Sequence, residues 1–214
     1  MLSLRNKESV STKMMNCTKC MEKLNNILLA CCLGDGYLSS SGTFEILHTE
    51  KQKEYLEYKA SLFNGIVKEK NNNGHKAYYF RKGVFNKRDQ GKVIRKKLYG
   101  VMGHKYFSDD IVNYLDKFCI AILYCDDGSL IPQKSNGKIS AYKCTISIYG
   151  SKSECERLQN KILELFGVKF NINKDKNKYL LKCGTREARK FIPQIKELIP
   201  HFKCFESNKL LDNF

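Results

Sequence analysis

The sequence predicts a mixed α/β protein of the α+β class, built from two similar halves. Two apolar helical segments end in Gly34-Asp35-Gly36 and in Asp126-Asp127-Gly128. Alternating apolar and polar residues, the pattern of a half-buried strand, follow each segment. Each strand then leads into a helix with a capping pattern at its start. Because this order occurs twice, with the aspartates 92 positions apart (127 − 35), we interpret the chain as a duplicated unit.

The 214 residues divide into three parts. Residues 1–22 are polar and lack periodicity, so we predict a loose N-terminal extension. The first half spans 23–104 and the second half spans 105–214. With 42% hydrophobic residues, the chain has enough apolar side chains to build a core.

The two apolar helices carry small residues at positions four apart. These are Ala30 and Gly34 in the first helix, and Ala121 and Cys125 in the second. Small residues at this spacing let two helices approach closely. The pairs do not occupy matching positions, so the predicted contact need not be strictly symmetric.

Each predicted strand has one apolar and one polar face. In 43–48, the residues Phe44, Ile46 and His48 share a face. In 143–149, the apolar face carries Cys144, Ile146 and Ile148. The polar face of that strand, which we expect to point outward, carries Lys143, Thr145, Ser147 and Tyr149.

Helix starts follow both strands. Thr49-x-x-Gln52 and Ser151-x-x-Glu154 have the form of capping boxes, and Gly167 is typical of a helix end. Ser108-Asp109-Asp110 indicates a further helix start between the halves. More strands are predicted near 75–82, 168–173 and 178–183, with closing helices near 87–99 and 185–198. In 168–173, the polar face carries Lys169, Asn171 and Asn173.

The charge of the chain favours a polyanionic partner. Lysine and arginine outnumber aspartate and glutamate by 38 to 22, which gives a net charge of +16. Nucleic acid fits best, although a basic protein without such a partner is the plain alternative. The start of the chain lacks an apolar signal core and no apolar run is long enough to cross a membrane, so we expect an intracellular protein that is not secreted.

The cysteine pattern gives only weak support for a metal site. The chain contains ten cysteines, which we expect to be reduced inside a cell. Cys17-x-x-Cys20 resembles half of a zinc site, but no second pair follows at a suitable spacing.

The paired Asp-Gly endings point to chemistry. If the two apolar helices pack side by side, their C-terminal ends bring Asp35 and Asp127 together, and the two carboxylates repel one another. A divalent cation relieves that repulsion, and oxygen ligands suit Mg²⁺. The ordinary alternative is that each Asp-Gly is a turn after a buried helix. Two copies in the same context favour the site.

The two motifs resemble the signature of the LAGLIDADG homing endonucleases. Leu33-Gly34-Asp35-Gly36-Tyr37-Leu38 is similar to the first copy of that signature, and 121–130 (AILYCDDGSL) is similar to the second. The resemblance covers roughly 24–214. It implies a saddle of two αββαββα halves in which the motif helices form the interface and the sheets lie in the DNA major groove. It also implies a long target site and a staggered double-strand cut.

The resemblance also implies roles for individual residues. Asp35 and Asp127 match the metal-binding aspartates, with Mg²⁺ as the cofactor and Mn²⁺ as a substitute. We group the preceding residues, Gly34 and Asp126, with this metal site, although Asp126 does not match a ligand position and also suits a role at the helix end. Lys105 resembles a catalytic lysine.

The second catalytic lysine and the role of His48 stay open at this point. Lys203 and Lys209 both resemble the second lysine, and we favour Lys209. His48 replaces a glutamine that relatives often carry, so it can bind water near the phosphate, contact DNA or simply end a strand.

We therefore predict a monomeric, Mg²⁺-dependent, site-specific endonuclease for double-stranded DNA, encoded within an intron of an organelle, phage or bacterium. The alternatives are an RNA maturase that binds intron RNA and a relative that binds DNA without cutting it. Base or backbone contacts are predicted for eight residues, namely His48, Lys143, Thr145, Ser147, Tyr149, Lys169, Asn171 and Asn173.

Overall fold

The computed structural model describes residues 18–72, 74–83, 88–99, 103–206 and 209–210. The first half contains a helix, two strands, a helix, two strands and a helix. In chain order these are α1 (Thr18–Leu33), β1 (Tyr37–Leu38), β2 (Thr43–Thr49), α2 (Lys53–Leu62), β3 (Lys68–Asn72), β4 (His75–Gly83) and α3 (Arg88–Leu98).

The second half repeats this order after a short connecting helix, α4 (Asp109–Val112). Its elements are α5 (Lys117–Asp127), β5 (Gly128–Ser135), β6 (Lys138–Gly150), α6 (Lys152–Phe166), β7 (Asn171–Asp175), β8 (Lys178–Gly184) and α7 (Thr185–Leu198). The predicted α+β class with two αββαββα halves is confirmed.

Each half folds around one four-stranded antiparallel sheet. The strand orders are β1-β2-β4-β3 and β5-β6-β8-β7, so the two sheets have the same topology. Apolar residues on neighbouring strands lie directly opposite one another. Ile46 is opposite Phe80 in the first sheet, and Ile146 is opposite Leu181 in the second. All four side chains are buried, so each sheet has one face in the core.

The two halves share a core along the motif helices. Helix α1 packs against α5, as predicted. The side chains of Ala30, Cys31, Ala121 and Cys125 are fully buried there. Small residues thus lie where the helices meet, which permits a short distance between their backbones.

Local predictions were partly wrong. Ser151 and Glu154 form the expected capping box at the start of α6. Thr49 forms no side-chain cap, because a 3-10 turn over Glu50–Gln52 precedes α2 and changes the geometry of its N-terminus. The strand predicted over 168–173 begins only at Asn171. Helix α1 begins at Thr18, inside the range assigned to the extension.

Neither a membrane helix nor a disulfide is found in the part of the chain that the structure describes. None of the described helices is long and apolar enough to cross a membrane. Eight described cysteines are free thiols, seven of them buried. The predicted half-site at Cys17 and Cys20 lies outside the residues whose side chains are described.

Candidate metal centre

The ends of the two motif helices bring the predicted aspartates near enough for the charge of Asp35 to act on Asp127, although the three-residue cluster described below does not include Asp127. Asp35 follows α1, and Asp127 is the last residue of α5. The helix ends touch, since the backbone N–H of Asp35 donates to Asp126 Oδ2 at 3.1 Å. Burial, followed by the negative charge of Asp35, raises the pKa of Asp127 to about 7. Burial and the charge of Asp126 also raise the pKa of Asp35.

A lysine lies against the C-terminal carbonyl groups of each motif helix. Lys105 Nζ donates to the carbonyl oxygen of Gly34, and Lys209 Nζ donates to that of Asp126 at 2.7 Å. Gly34 and Asp126 are equivalent positions, because they too are 92 residues apart (126 − 34). The two lysines therefore occupy matching places in the two halves. A cation at a helix C-terminus is favourable, because the last carbonyl groups carry partial negative charge.

The segments that carry these lysines are fixed by hydrogen bonds from both halves. The backbone of Lys105 pairs with Tyr99 at the end of α3, and the N–H of Phe107 donates to Glu154 Oε1 on α6 at 3.0 Å. Tyr124 on α5 donates its hydroxyl to the carbonyl of Lys209 at 2.9 Å. The alternative lysine, Lys203, is exposed within a 3-10 turn.

Asp126 lies in a buried cluster of polar side chains. Its Oδ1 accepts hydrogen bonds from the Tyr55 hydroxyl and from Lys59 Nζ, both at 2.8 Å. The side chains of Lys59 and Asp126 are both fully buried. Burial alone would raise the pKa of Asp126, but the adjacent ammonium of Lys59 outweighs that effect and lowers the pKa. The pair is therefore ionised in the interior.

His48 lies beside Asp35 and faces the core of the first half. Its Nδ1 is 3.9 Å from Asp35 Oδ2, while its Nε2 is buried without a hydrogen-bond partner. Burial and the nearby charge of Lys59 lower the pKa of His48 to about 3, so the imidazole is neutral at physiological pH. At 5% exposure, the His48 side chain has little surface with which to contact DNA bases, contrary to the predicted DNA contact.

One cluster of possible metal ligands stands out among the described residues. Ligand atoms of Asp35, His48 and Asp126 all lie within 4.8 Å of one another. Asp126 already accepts three hydrogen bonds and pairs with Lys59, whereas Asp35 is about one-third exposed (34%). The carboxylate of Asp35 therefore has lone pairs with which to bind a cation, and the imidazole of His48 offers a nitrogen atom beside it.

The predicted DNA-contacting side chains differ in accessibility. Lys169, Asn171 and Asn173 are exposed, and Lys143 and Ser147 are half-buried. Thr145 is only 6% exposed, because it packs opposite Ser129 and shares a 2.7 Å hydrogen bond with that hydroxyl. The side chain of Tyr149 lies outside the described part of the chain.

An open cleft connects the second half of the site to the polar face of its sheet. Its lining includes Lys105, Asp127, Ser147, Lys152 and Lys178. Lysines therefore line the route that a polyanion would follow towards Asp127.

Sequence reasoning missed three groups of residues. The Tyr55–Lys59 pair on α2 carried no motif, although Lys59 falls between the apolar positions of that helix. Glu154 was predicted only as a helix cap. Arg81 on β4, opposite Glu45 in the first sheet, gives that half an exposed cation that no strand pattern had indicated.

The fold and the site define a class of single-chain proteins in which two similar αββαββα halves meet at helices that end in aspartate. A family model described as the LAGLIDADG DNA endonuclease family matches residues 25–191. The chain belongs to this family.

Two curated proteins are similar in sequence to part or most of the chain. The chain is 24% identical over 202 residues to Protein RecA of Mycolicibacterium fallax, covering 88% of this chain and 46% of that protein. It is 30% identical over 113 residues to Protein RecA of Mycobacterium shimoidei, covering 48% of this chain and 25% of that protein. The chain thus spans less than half the length of these relatives.

Two solved structures resemble the fold over most of their length. One is the homing endonuclease I-WcaI bound to its DNA recognition sequence, with a TM-score of 0.69 and 21% identity over 98% of this chain and 96% of that one. The other is the meganuclease I-SmaMI bound to uncleavable DNA, with a TM-score of 0.54 and 14% identity over 83% and 84% of the two chains.

Proposed function

We propose that the protein is a metal-dependent endonuclease that binds double-stranded DNA at a long, specific site and makes a staggered cut. The observation that carries this proposal is the placement of Asp35 and Asp127 at the touching ends of two helices, with a lysine at the equivalent carbonyl in each half. Family membership supports the same reaction class.

The donor set fits a hard divalent cation. Asp35 and Asp127 supply carboxylate oxygens, the ligands that Mg²⁺ prefers, and His48 adds a ligand that Mn²⁺ accepts. When bound, such a cation supplies Lewis acidity to the phosphate and lowers the pKa of an attacking water. Burial and the charge of Asp35 raise the pKa of Asp127, and a bound cation would stabilise both carboxylates in their charged form.

Lys105 and Lys209 provide positive charge close to the aspartates. Both ammonium groups are fixed by backbone carbonyls, so they require little rearrangement to face a phosphate that enters the site. Fixed charge of this kind stabilises the extra negative charge of a phosphoryl transition state. Lys209 is our choice over Lys203 because only Lys209 matches Lys105 in position.

DNA binding follows from charge and surface. A net charge of +16 favours a polyanion, and the exposed residues Asn171 and Asn173 lie on strand β7 of the second sheet, with the exposed Lys169 just before that strand. I-WcaI and I-SmaMI, which share the fold, are both seen with DNA. Ser147 lines the cleft, and Lys143 lies on the same strand, β6.

We also propose that the protein acts as a monomer inside a cell, with halves at 23–104 and 105–214 after an extension over 1–22, of which the residues from Thr18 onward already belong to helix α1. One chain contains both motif helices, so it needs no second copy to complete the site. An intron-encoded origin would suggest the uninterrupted exon junction as the target.

The function can be tested without knowing the target in advance. Random duplex DNA is selected for binding in Ca²⁺, and the selected duplexes are then incubated with Mg²⁺ or Mn²⁺. We expect cuts in both strands at a fixed position in each metal and none without metal. Selection of a site that is never cut would favour the inactive binder. Preferential binding of intron RNA would favour the maturase.

A further inference from the structure

The two halves of the site differ at the residue that precedes Asp35 in the first half and Asp127 in the second. Gly34 precedes Asp35, whereas Asp126 occupies the equivalent place before Asp127. A Cβ atom on Gly34 would lie 2.2 Å from Asp126 Oδ2 and 2.7 Å from Asp126 Cβ. There is room for one side chain at this crossing, and Asp126 fills it.

Both oxygens of the Asp126 carboxylate already accept hydrogen bonds. Oδ1 accepts from Tyr55 and Lys59 at 2.8 Å, and Oδ2 accepts from the backbone of Asp35 at 3.1 Å. A metal bound by Asp126 would compete with these contacts and lie next to the buried ammonium of Lys59. Repulsion between two cations in the interior opposes that arrangement.

The contact across the interface runs in one direction only. Asp126, on the second half, holds the backbone of Asp35 on the first, while Gly34 has no side chain with which to hold Asp127. The helices behind the two aspartates differ too. Buried positions on α2 (Tyr55, Leu56, Lys59) match those on α6 (Glu154, Cys155, Leu158), so Leu158 stands where Lys59 stands.

We propose that Asp126 is a positioning residue that, held by Lys59 and Tyr55, fixes the backbone of Asp35 and makes the two metal half-sites inequivalent. This rests on the proposed function, in which Asp35 and Asp127 bind metal. Asp126 then controls how well Asp35 holds a cation without touching that cation itself. Among the described residues, no side chain of the first half holds the backbone of Asp127 in this way.

Two double variants separate this role from a general loss of stability. Lys59→Met/Asp126→Asn and Lys59→Met/Asp126→Ala both remove the buried charges. They differ in one respect, because the asparagine oxygen can still accept the N–H of Asp35 and alanine cannot. Lys53→Met on the same helix removes an exposed lysine and serves as the control.

The first measurement is amide hydrogen exchange of Asp35 and Asp127 in the full chain, followed by NMR. The second is Mn²⁺ titration, in which paramagnetic broadening is followed separately at each aspartate. We expect Asp35 exchange to be about tenfold faster in the alanine variant than in the asparagine variant, since the hydrogen bond from the amide oxygen of residue 126 to the Asp35 N–H is lost. We expect Mn²⁺ affinity at Asp35 to fall by about the same factor, with Asp127 little changed.

Three results would overturn the proposal. Equal exchange of Asp35 in the two double variants would show that Asp126 does not fix its backbone. Equal changes at both aspartates would indicate a purely structural role. Loss of Mn²⁺ at Asp35 in the asparagine variant, with Asp35 exchange intact, would make Asp126 a ligand.

The outcome also stays separate from that of the proposed function. If the alanine variant does not fold, the Mn²⁺ affinity at Asp35 in the asparagine variant tests the proposal instead. The proposal requires that this affinity be within a few-fold of the wild-type value. If the wild-type protein binds no Mn²⁺ at either aspartate, the metal assignment fails, and amide exchange alone decides whether Asp126 positions Asp35.

Discussion

A lysine lies against the final carbonyl groups of each motif helix, but only α5 has a side chain, that of Asp126, at the position before its aspartate. Lys105 and Lys209 occupy equivalent places, as duplication would produce. Asp126 and Gly34 are also equivalent in position, yet one is a buried carboxylate and the other has no side chain. The lysines are thus an element of the site that is the same in both halves. The residue before each aspartate is an element that differs, which is possible because the two halves of a single chain need not have identical sequences.

The largest loss of cleavage is expected from substitution of Asp35 or Asp127, which occupy equivalent positions in the two halves. Asp35→Asn and Asp127→Asn should each reduce double-strand cleavage by roughly 10³-fold or more, because metal stabilisation worth several kcal/mol is lost. Rates are measured on selected duplex DNA in Mg²⁺, with binding followed in Ca²⁺. Asp109→Asn is the control, since Asp109 is exposed and pairs with Arg157. Undiminished cleavage by either aspartate variant would place the metal elsewhere.

Substitutions of Lys59 and Asp126 test the part of the site that differs between the two halves. Lys59→Met should lower the free energy of unfolding by roughly 3–5 kcal/mol, because it leaves a buried carboxylate without its cation. Lys59→Met/Asp126→Asn should recover most of that loss, since no unpaired charge remains. Urea unfolding of the variants provides the values. A double variant as unstable as the single one would argue that shape, rather than charge, matters at this position.

Substitutions of Lys105 and Lys209 test the part of the site that is the same in the two halves. Lys105→Ala and Lys209→Ala should each slow cleavage by about 10²-fold, because fixed positive charge near the phosphate is removed while the metal ligands stay. Equivalent positions predict similar losses in the two variants. Single-turnover rates in Mg²⁺ give the comparison, with Lys203→Ala as the matched control. A large loss in the control together with normal cutting by Lys209→Ala would reverse the assignment.

The smallest effect concerns the helices that follow the strands. Ser151→Ala should cost about 1 kcal/mol of stability, because Ser151 accepts from the backbone of Glu154 in a complete capping box. Thr49→Ala should cost much less, since Thr49 makes no side-chain cap in the first half. Thermal unfolding measures both changes. Equal losses would mean that a capping contact forms in both halves.

Most of the fold was predictable because it is duplicated. The apolar helices, the alternating strands and the Gly-Asp-Gly and Asp-Asp-Gly endings each occur twice, so each copy supported the interpretation of the other. Strand β3 was missed because Lys68–Asn72 has no apolar residue, and its strand conformation depends on pairing with β4. Strand β5, with Pro132 at the sheet edge, was missed because its polar sequence indicates a loop.

The site was predictable where a motif carried it and hidden where tertiary packing made it. Asp35 and Asp127 follow from their positions at helix ends, and Lys105 from the family resemblance. Lys59 could not be predicted, because a lysine on a helix is ordinarily solvated and its burial depends on Asp126, which lies 67 residues away. His48 was predicted to face the same way as Phe44 and Ile46, but its closeness to Asp35 depends on how α1 ends.

Anomalous X-ray diffraction from crystals of the DNA complex grown with Mn²⁺ would locate the metal and its ligands. We expect Mn²⁺ peaks bound by the carboxylates of Asp35 and Asp127 and in contact with a phosphate, while Asp126 keeps its contacts with Lys59 and Tyr55. A metal bound by Asp126, or a DNA complex with no metal at either Asp35 or Asp127, would contradict this expectation.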